Sequence, residues 1–455
     1  MPDTIAACSS GSMPCGIAVL RLSGPRAAEI LDAVFVPRAG TAVSRAAPRR
    51  LYYGRLLARD GQTLDLCMAA FFPGPHSYTG EDLAEFYTHG SQAVAAGLLE
   101  HCFALGAVPA PPGEYTRRAF LAGRMDLTEA EAVADLIHAQ SELAAKAAAA
   151  QLQGSVGGRI RALREGVLAL LAHFYAVCDY TDEDLGEFDY ENAARVLEQT
   201  CAGLERLLAG FQRGRLVREG VPVAIIGRPN AGKSTLFNAL AGETRAIVTD
   251  EAGTTRDVLE QVISCGGAPI RILDTAGLRE SDSKAERMGV ERARDAAKKA
   301  RAVLCVLDAA APLSPEDEDA LALCREAGLR VLVLNKTDLT SAEPPWLAPL
   351  LARETFDAVF RLSAKEGQVE PLAQWLAGLA PQPEEVLVTS ARQAHLLEQA
   401  LADFSAALAS ARMGMTADAF LSDAERGINA LGQITGETVS ADLAHEIFSR
   451  FCVGK

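Results

Sequence analysis

Residues Gly227-Arg228-Pro229-Asn230-Ala231-Gly232-Lys233-Ser234 follow the strand-like run VPVAII and precede the helical run TLFNALAG. Their spacing is G-x-x-x-x-G-K-[ST], and strand, glycine-rich turn and helix in that order are the setting in which this spacing binds phosphate. Backbone N–H groups of the turn and the first helical turn, Asn230 through Thr235, are expected to face an anion. Lys233 is expected to neutralise β- and γ-phosphate oxygens, and the Ser234 hydroxyl to ligate Mg²⁺. Outward from this stretch, the runs IRIL, AVLCVLD, RVLVLN and AVFRLS alternate with helical stretches until about residue 380. Such alternation builds a doubly wound α/β domain.

Further segments follow in the order that a guanine-nucleotide site needs. The loop Thr249-Asp250-Glu251-Ala252-Gly253-Thr254-Thr255 can bring a threonine hydroxyl to the Mg²⁺ shell. Asp274-Thr275-Ala276-Gly277 ends the strand IRIL, so Asp274 can hold the metal's water and Gly277 can approach the γ-phosphate. Asn335-Lys336-Thr337-Asp338 ends RVLVL, and its carboxylate can accept two hydrogen bonds from guanine N1–H and the 2-amino group, which adenine cannot supply. Ser363-Ala364-Lys365, after AVFRL, fits the last base-contacting loop. Each segment alone is an ordinary turn; five in order are not.

Leu278 stands where Ras-like enzymes carry the glutamine that orients the attacking water. Two substitutes are visible. Asn230 can present its side-chain oxygen to a monovalent cation beside the phosphates, with oxygens of the Thr249–Thr254 loop completing the shell. The carboxylates Glu280, Asp282 and Glu286 are candidates for orienting water.

The 455 residues exceed what one core supports, which points to two to four domains. With 49% hydrophobic and 23% charged residues, the chain is a folded protein and not a disordered one. A net charge of −15 argues against a protein that simply coats nucleic acid or an anionic membrane. Ten cysteines without a C-x-x-C pair read as reduced thiols, and seven histidines without H-E-x-x-H offer no zinc spacing. MPDTIAACSS lacks the marks of an export signal and no run of 18 apolar residues occurs, so a cytoplasmic protein is expected.

Residues 1–118 mix the short runs GIAVLRLSG and LCMAAFF with Pro/Gly punctuation, which suggests an α+β domain. From Leu127 the texture is helical, opened by Thr128 and Glu131 as a capping box and continuing to about Gln212. Helical texture returns after Pro381-Gln382-Pro383. The expected organisation is therefore an α+β domain at 1–118 and an all-α domain in two segments, 119–217 and 381–455, with the α/β domain inserted at 218–380.

The sequence resembles the tRNA modification GTPase MnmE (TrmE) family over its whole length. GRPNAGKSTLFNAL, IVTDEAGTTRD, DTAGLRE and the ending IFSRFCVGK carry the likeness, supported by DTIAA, FPGPHSYTGED, PGEYTRRAFLAGRMDLTEAEA and GQITGETVSADL. The P-loop alone does not separate this family from ribosome-assembly GTPases; FCVGK and SYTGED do. The resemblance implies a homodimer with an N-terminal tetrahydrofolate-binding domain, a two-segment helical domain and a K⁺-activated G domain. It implies joint action with the FAD-dependent MnmG subunit, adding an aminomethyl or carboxymethylaminomethyl group at C5 of the wobble uridine of certain tRNAs from methylene-tetrahydrofolate. By position, Asn230, Thr249, Glu251 and Thr254 resemble the K⁺ shell, Ser234 and Thr255 the Mg²⁺ ligands, and Glu286 the water-orienting glutamate. Arg21, Glu85, Arg124 and Lys455 fall where the family contacts folate, and Cys452 reads as a functional thiol near that pocket.

Two departures stand out. The family's early P-P-G-R-G-G is here Ser10-Gly11-Ser12-Met13-Pro14-Cys15, and its H-G-G reads His89-Gly90-Ser91. The rival reading is a ribosome-assembly or regulatory GTPase without one-carbon chemistry. Residues 1–118 are neutral and the two helical segments hold most of the negative charge, so the acidic total leaves room for a tRNA substrate whose phosphates are contacted mainly by a partner subunit.

Overall fold

The computed structural model describes residues 3–38, 40–179, 188–242, 260–273, 286–340, 342–381, 388–413, 417–449 and 451–454. By compactness the chain divides into two units, one of Met1–Ala134, Leu152–Phe188 and Ala417–Lys455, the other of Asp135–Gln151 and Asp189–Thr416. Both expected helical segments are thus shared between the units.

The first unit is built on a seven-stranded sheet. Its strands are β1 (Ile5–Cys8), β2 (Cys15–Ser23), β3 (Phe35–Pro37), β4 (Tyr52–Leu57), β5 (Thr63–Phe72), β6 (Leu83–Gly90) and β7 (Val108–Pro109), in the order β3-β4-β5-β6-β2-β1-β7. Only β1 and β7 pair in parallel. Alternation along the strands sends Leu20, Leu22, Leu56 and Phe86 inward, where they pack with Ile30 and Leu31 of the helix Ala27–Val34 and Leu98 of the helix Gln92–Ala104. The opposite face carries Tyr53, Met68, Tyr87 and Val19 as successive cross-strand partners. Tyr53 and Met68, with Leu66 and Ile17, are 38 to 64% exposed.

The helix Leu127–Ile137 begins where the texture changes, but its cap is not the expected one. Asp126 accepts from Glu129 N (2.9 Å) while Glu129 accepts from Asp126 N (2.8 Å), closing a capping box two residues upstream of Thr128 and Glu131. The Thr128 hydroxyl is engaged on Asp126 itself (2.6 Å). Phe448 and Phe451 at the chain's end pack on Leu127 and Ala130.

In the second unit six strands, β8 (Val221–Ile226), β9 (Glu260–Cys265), β10 (Ala268–Leu273), β11 (Ala302–Asp308), β12 (Leu329–Asn335) and β13 (Ala358–Arg361), form a sheet ordered β13-β12-β11-β8-β10-β9. All pairs are parallel except β9 with β10. Val223, Ile225, Leu304 and Val306 fill one face's core, and Ala224, Ile226, Val303 and Cys305 the other's. Burial on both faces explains why these strands read as unbroken apolar runs. Leu143, from the helix Glu142–Leu152, packs on the first of these cores, and its N–H donates to Gly267 O in the β9–β10 turn (3.1 Å).

Glu354 is buried in this unit, accepting from Arg325 and from Arg330 (3.3 Å). The Arg325 hydrogen bond and then the charges of Arg325 and Arg330 hold its carboxyl below the usual range. Because the folded-state value is depressed, the stabilisation is present above the ordinary carboxyl pKa and is lost as pH falls through the folded one. Glu354→Gln is expected to cost about 1–2 kcal/mol at neutral pH. Thermal denaturation should show that gap closing as the pH is lowered below about 4.

Candidate functional site

The strand order sets the carboxyl ends of β8, β11 and β12 side by side, and the chain leaves β8 first toward β10 and later toward β11. Open α/β sheets bind ligands in the crevice at such a reversal. Gly227 follows β8 with its Cα against the Val306 carbonyl, where a Cβ has no room. Gly232 has φ 96° and abuts the Asn335 amide. Both glycines are therefore required by geometry.

Lys233 opens the helix Lys233–Ala241, and its Nζ donates to the carbonyls of Gly227 and Arg228 (2.9 Å each). Burial pulls its pKa below that of an ordinary lysine. Ser234 and Thr235 are exposed beside it at the helix N-terminus. Asn230 is exposed at φ 63°, and among the described residues its side-chain amide has no hydrogen-bond partner.

The segments expected to read the base are tied to this turn. Asn335 is buried, donating from Nδ2 to Ala231 O (3.0 Å) and accepting at Oδ1 from Ala364 N (3.0 Å). One side chain thereby joins the phosphate turn, the end of β12 and the last loop. Ser363 Oγ donates to Asp338 Oδ1 (2.6 Å) and steadies a carboxylate that remains exposed. Lys336 has φ 64°, and Lys365 is exposed. Among the described residues only Arg49, Asn230 and Lys336 are non-glycines in the left-handed region. Two of the three lie here, and such strain gathers at functional sites.

The expected contacts Thr249, Asp250, Glu251, Ala252, Gly253, Thr254, Thr255, Asp274, Thr275, Ala276 and Gly277 lie outside the described residues. So do Glu280 and Asp282. Glu286 opens the helix Glu286–Lys299, and its side chain lies outside them too.

A second constellation stands in the first unit. Arg21 and Glu85 are cross-strand partners on β2 and β6, and Arg21 Nε donates to Glu85 Oε1 (2.8 Å). Tyr87 OH donates to Glu85 Oε2 (2.6 Å); burial, then that hydrogen bond, pushes the phenol up to about 12. The Arg21 guanidinium lies over the Tyr78 ring, 5.5 Å from its centroid. Arg124 runs past Gly80, whose Cβ would stand 3.7 Å from Arg124 Cγ. Tyr78 and Tyr87 had no sequence signal beyond residence in or near SYTGED.

The tail bearing Cys452 is docked at the end of β1, the strand that pairs with β2. Ser9 Oγ donates to Gly454 O (2.8 Å), Gly113 N donates to Cys452 O (3.3 Å), and Ala7, next to Cys8, is the cross-strand partner of Arg21. Cys452 is partly exposed, whereas Lys455 lies outside the described residues. Gly454 holds φ 89°, and a Cβ there would meet Cys8 O at 2.5 Å. Gly454→Ala is expected to release the tail, since holding a non-glycine residue at that φ costs about 1–3 kcal/mol. Peptide-resolved alkylation should show Cys452 reacting roughly tenfold faster, as that cost implies.

The departing segments meet one another, Cys15 pairing with Gly90 across β2 and β6.

Residues 127–452 match the model of the MnmE helical domain, and residues 4–124 that of the GTP-binding protein TrmE N-terminus. The chain belongs to the MnmE family. A tRNA modification GTPase MnmE of Synechococcus sp. (strain JA-3-3Ab) is 42% identical over 457 residues, covering 100% of this chain and 99% of the relative. The tRNA modification GTPase MnmE of Symbiobacterium thermophilum is 40% identical with the same coverage. Among solved structures, Era in complex with MgGDPNP and nucleotides 1506-1542 of 16S ribosomal RNA is 26% identical over 40% of this chain and 65% of that one, with a TM-score of 0.29. That likeness is too slight to carry any inference. Membership of the MnmE family accounts for both the P-loop side of the molecule and the N-terminal sheet. Among the described residues, no helix is long and apolar enough to cross a membrane.

Proposed function

We propose that this member of the family is a K⁺-stimulated GTP hydrolase that acts with an FAD-dependent MnmG subunit. Together they would add an aminomethyl or carboxymethylaminomethyl group at C5 of the wobble uridine, U34, of certain tRNAs, by folate-dependent chemistry in the cytoplasm. The observation that carries this reading is the coexistence of two sites in one chain. One is the guanine-nucleotide constellation of Lys233, Asn335 and Asp338; the other is the Arg21–Glu85 pair with the Cys452 tail docked beside it. A GTPase that only bound RNA or protein would have no use for the second.

The donors fit the groups invoked. Ser234, a hydroxyl exposed at the helix N-terminus, and Thr255 would ligate Mg²⁺, a hard cation that prefers oxygen. Asn230, whose amide oxygen is unengaged among the described residues, would hold K⁺ with Thr249, Glu251 and Thr254. Positive charge fixed there would offset the charge that builds on the transferring phosphoryl group, replacing an arginine finger. Glu286 would orient water in place of the missing glutamine.

Arg21, Glu85, Arg124 and Lys455 would hold the folate, which when bound supplies the one-carbon unit. With Arg21 and Tyr87 both donating to it, Glu85 is held in place as an acceptor, suited to the donor-rich edge of a pterin. Cys452 would act as a thiol close by. The outward apolar face around Tyr53, Leu66, Met68 and Ile17 supports a homodimer through the N-terminal domain, 1–118. Helical segments at 119–217 and 381–455 would then frame a G domain at 218–380.

Mass spectrometry of tRNA nucleosides tests the whole. A strain lacking its own enzyme should regain the C5-modified wobble uridine when given this chain, and failure with the partner subunit present would sink the tRNA reading. GTP hydrolysis should run faster in K⁺ than in Na⁺ at equal ionic strength; equal rates would contradict the Asn230 cation site.

A further inference from the structure

Asp308 ends β11 opposite Asn335, its cross-strand partner on β12. Its Oδ1 accepts from Ala310 N (3.0 Å), while Oδ2 accepts from Lys336 Nζ (2.7 Å) and lies 3.8 Å from Arg228 Nη2. Arg228 also sets Nε 3.3 Å from Asp317 Oδ2, a buried carboxylate that caps the helix Pro315–Cys324 through Ser314. Two cations, one from the phosphate turn and one from the guanine loop, therefore share one largely buried carboxylate. Neither aspartate belongs to a nucleotide-binding sequence motif.

The arrangement answers a specific difficulty. Lys336 is in the left-handed region and Arg228 is two residues before Asn230, which is as well; such a residue is strained unless its surroundings hold it. A charge-assisted hydrogen bond to a carboxylate already fixed by its own backbone is such a hold. Without it the loop from Asn335 to Asp338 is free to relax, and Asp338 shifts relative to the base.

We propose that Asp308 is a positioning residue that couples guanine recognition to the phosphate turn by holding Lys336 and Arg228 together. This rests on the nucleotide-site reading given above. Asp338 makes two hydrogen bonds to guanine but only one to hypoxanthine, which lacks the 2-amino group. A loosened guanine loop therefore erodes the preference for GDP over IDP, whereas a general loss of structure weakens both alike.

The test uses the full chain with Asp308→Asn, which preserves shape, and Asp308→Glu, which preserves charge. Stopped-flow release of fluorescent mant-GDP and mant-IDP is compared with steady-state GTP hydrolysis and with thermal denaturation. In Asp308→Asn, mant-GDP release should quicken by on the order of tenfold, the loss of one charged hydrogen bond, and mant-IDP release by less. Asp308→Glu should recover part of the GDP preference. A GDP-to-IDP ratio equal to the parent's in both variants overturns the proposal, as do equal losses for the two nucleotides. If Asp308→Asn does not fold, Asp308→Glu alone decides, because its lengthened carboxylate should still narrow the ratio. A parent chain that retains neither nucleotide overturns the nucleotide-site reading, and the coupling with it.

Discussion

Lys233→Ala is expected to lower kcat/KM for GTP by at least the order of 10²–10³ lost with one transition-state donor, measured as phosphate release over a range of GTP concentrations. Nζ is held over the turn by the Gly227 and Arg228 carbonyls, so it already stands where phosphate oxygens would arrive. Its side chain is half-buried and its ammonium is disfavoured by burial, so the site binds a cation at a cost that an anionic ligand would repay. The alanine variant should consequently denature no lower than the parent in the absence of nucleotide, since it removes a charge that the apo protein solvates poorly. Activity loss without stability loss is the signature; a fall in both would assign Lys233 a scaffold role.

Asp338→Asn is expected to exchange one nucleotide for another. The hydrogen bond to the 2-amino group is lost, about 1.5–3 kcal/mol, and the one from N1–H now goes to a neutral acceptor, so GTP affinity should drop by on the order of 10²–10³. Xanthine carries a carbonyl where guanine carries its 2-amino group. The asparagine amide can donate to that carbonyl and accept from N1–H, so XTP should be hydrolysed by the variant. The Ser363 hydroxyl, 2.6 Å from Asp338 Oδ1, can hold the amide oxygen as it held the carboxylate. Competition between GTP and XTP, read as the ratio of their kcat/KM values, measures the exchange. A variant that hydrolyses neither would mean that Asp338 serves the loop and not the base.

Much of the second unit was legible because its physics is local. Strands buried on both faces leave unbroken apolar runs, so β8, β10, β11 and β12 could be read from VPVAII, IRIL, AVLCVLD and RVLVLN, while the half-exposed edge strand β13 could still be read because AVFRLS opens on apolar residues. β9 escaped because EQVISC opens with Glu260 and Gln261 and sits at the sheet's edge, where one side needs no apolar partner. The capping box was misplaced by two residues because Asp126 with Glu129 and Thr128 with Glu131 satisfy the same pattern. Only the helix start separates them, and it falls where the Asp126 side chain takes the N–H of Glu129.

The site divides the same way. Lys233, Asn335 and Asp338 are tied to spacing on single segments, so roles could be expected for them, and the sheet order brings their segments together. Asp308, Asp317 and Tyr78 matter through partners 28 to 89 residues away in the chain, and no local pattern announces such pairings. The signal for Asp308 was positional: a carboxylate at the carboxyl end of a parallel strand stands where ligands of such sheets bind.

Leu143 gives the inserted domain a debt to its host. By chain position it belongs to the helical segment, yet it packs on the core around Val223 and Ile270 and closes a backbone bond with Gly267. A fragment trimmed to 218–380 therefore surrenders a piece of its own interior and leaves an apolar notch open to water. Grafted into a foreign helical scaffold, the same fragment would need that scaffold to bring a leucine of its own. Interchangeability among such GTPases is thus limited by a residue that no comparison of their G domains alone would include.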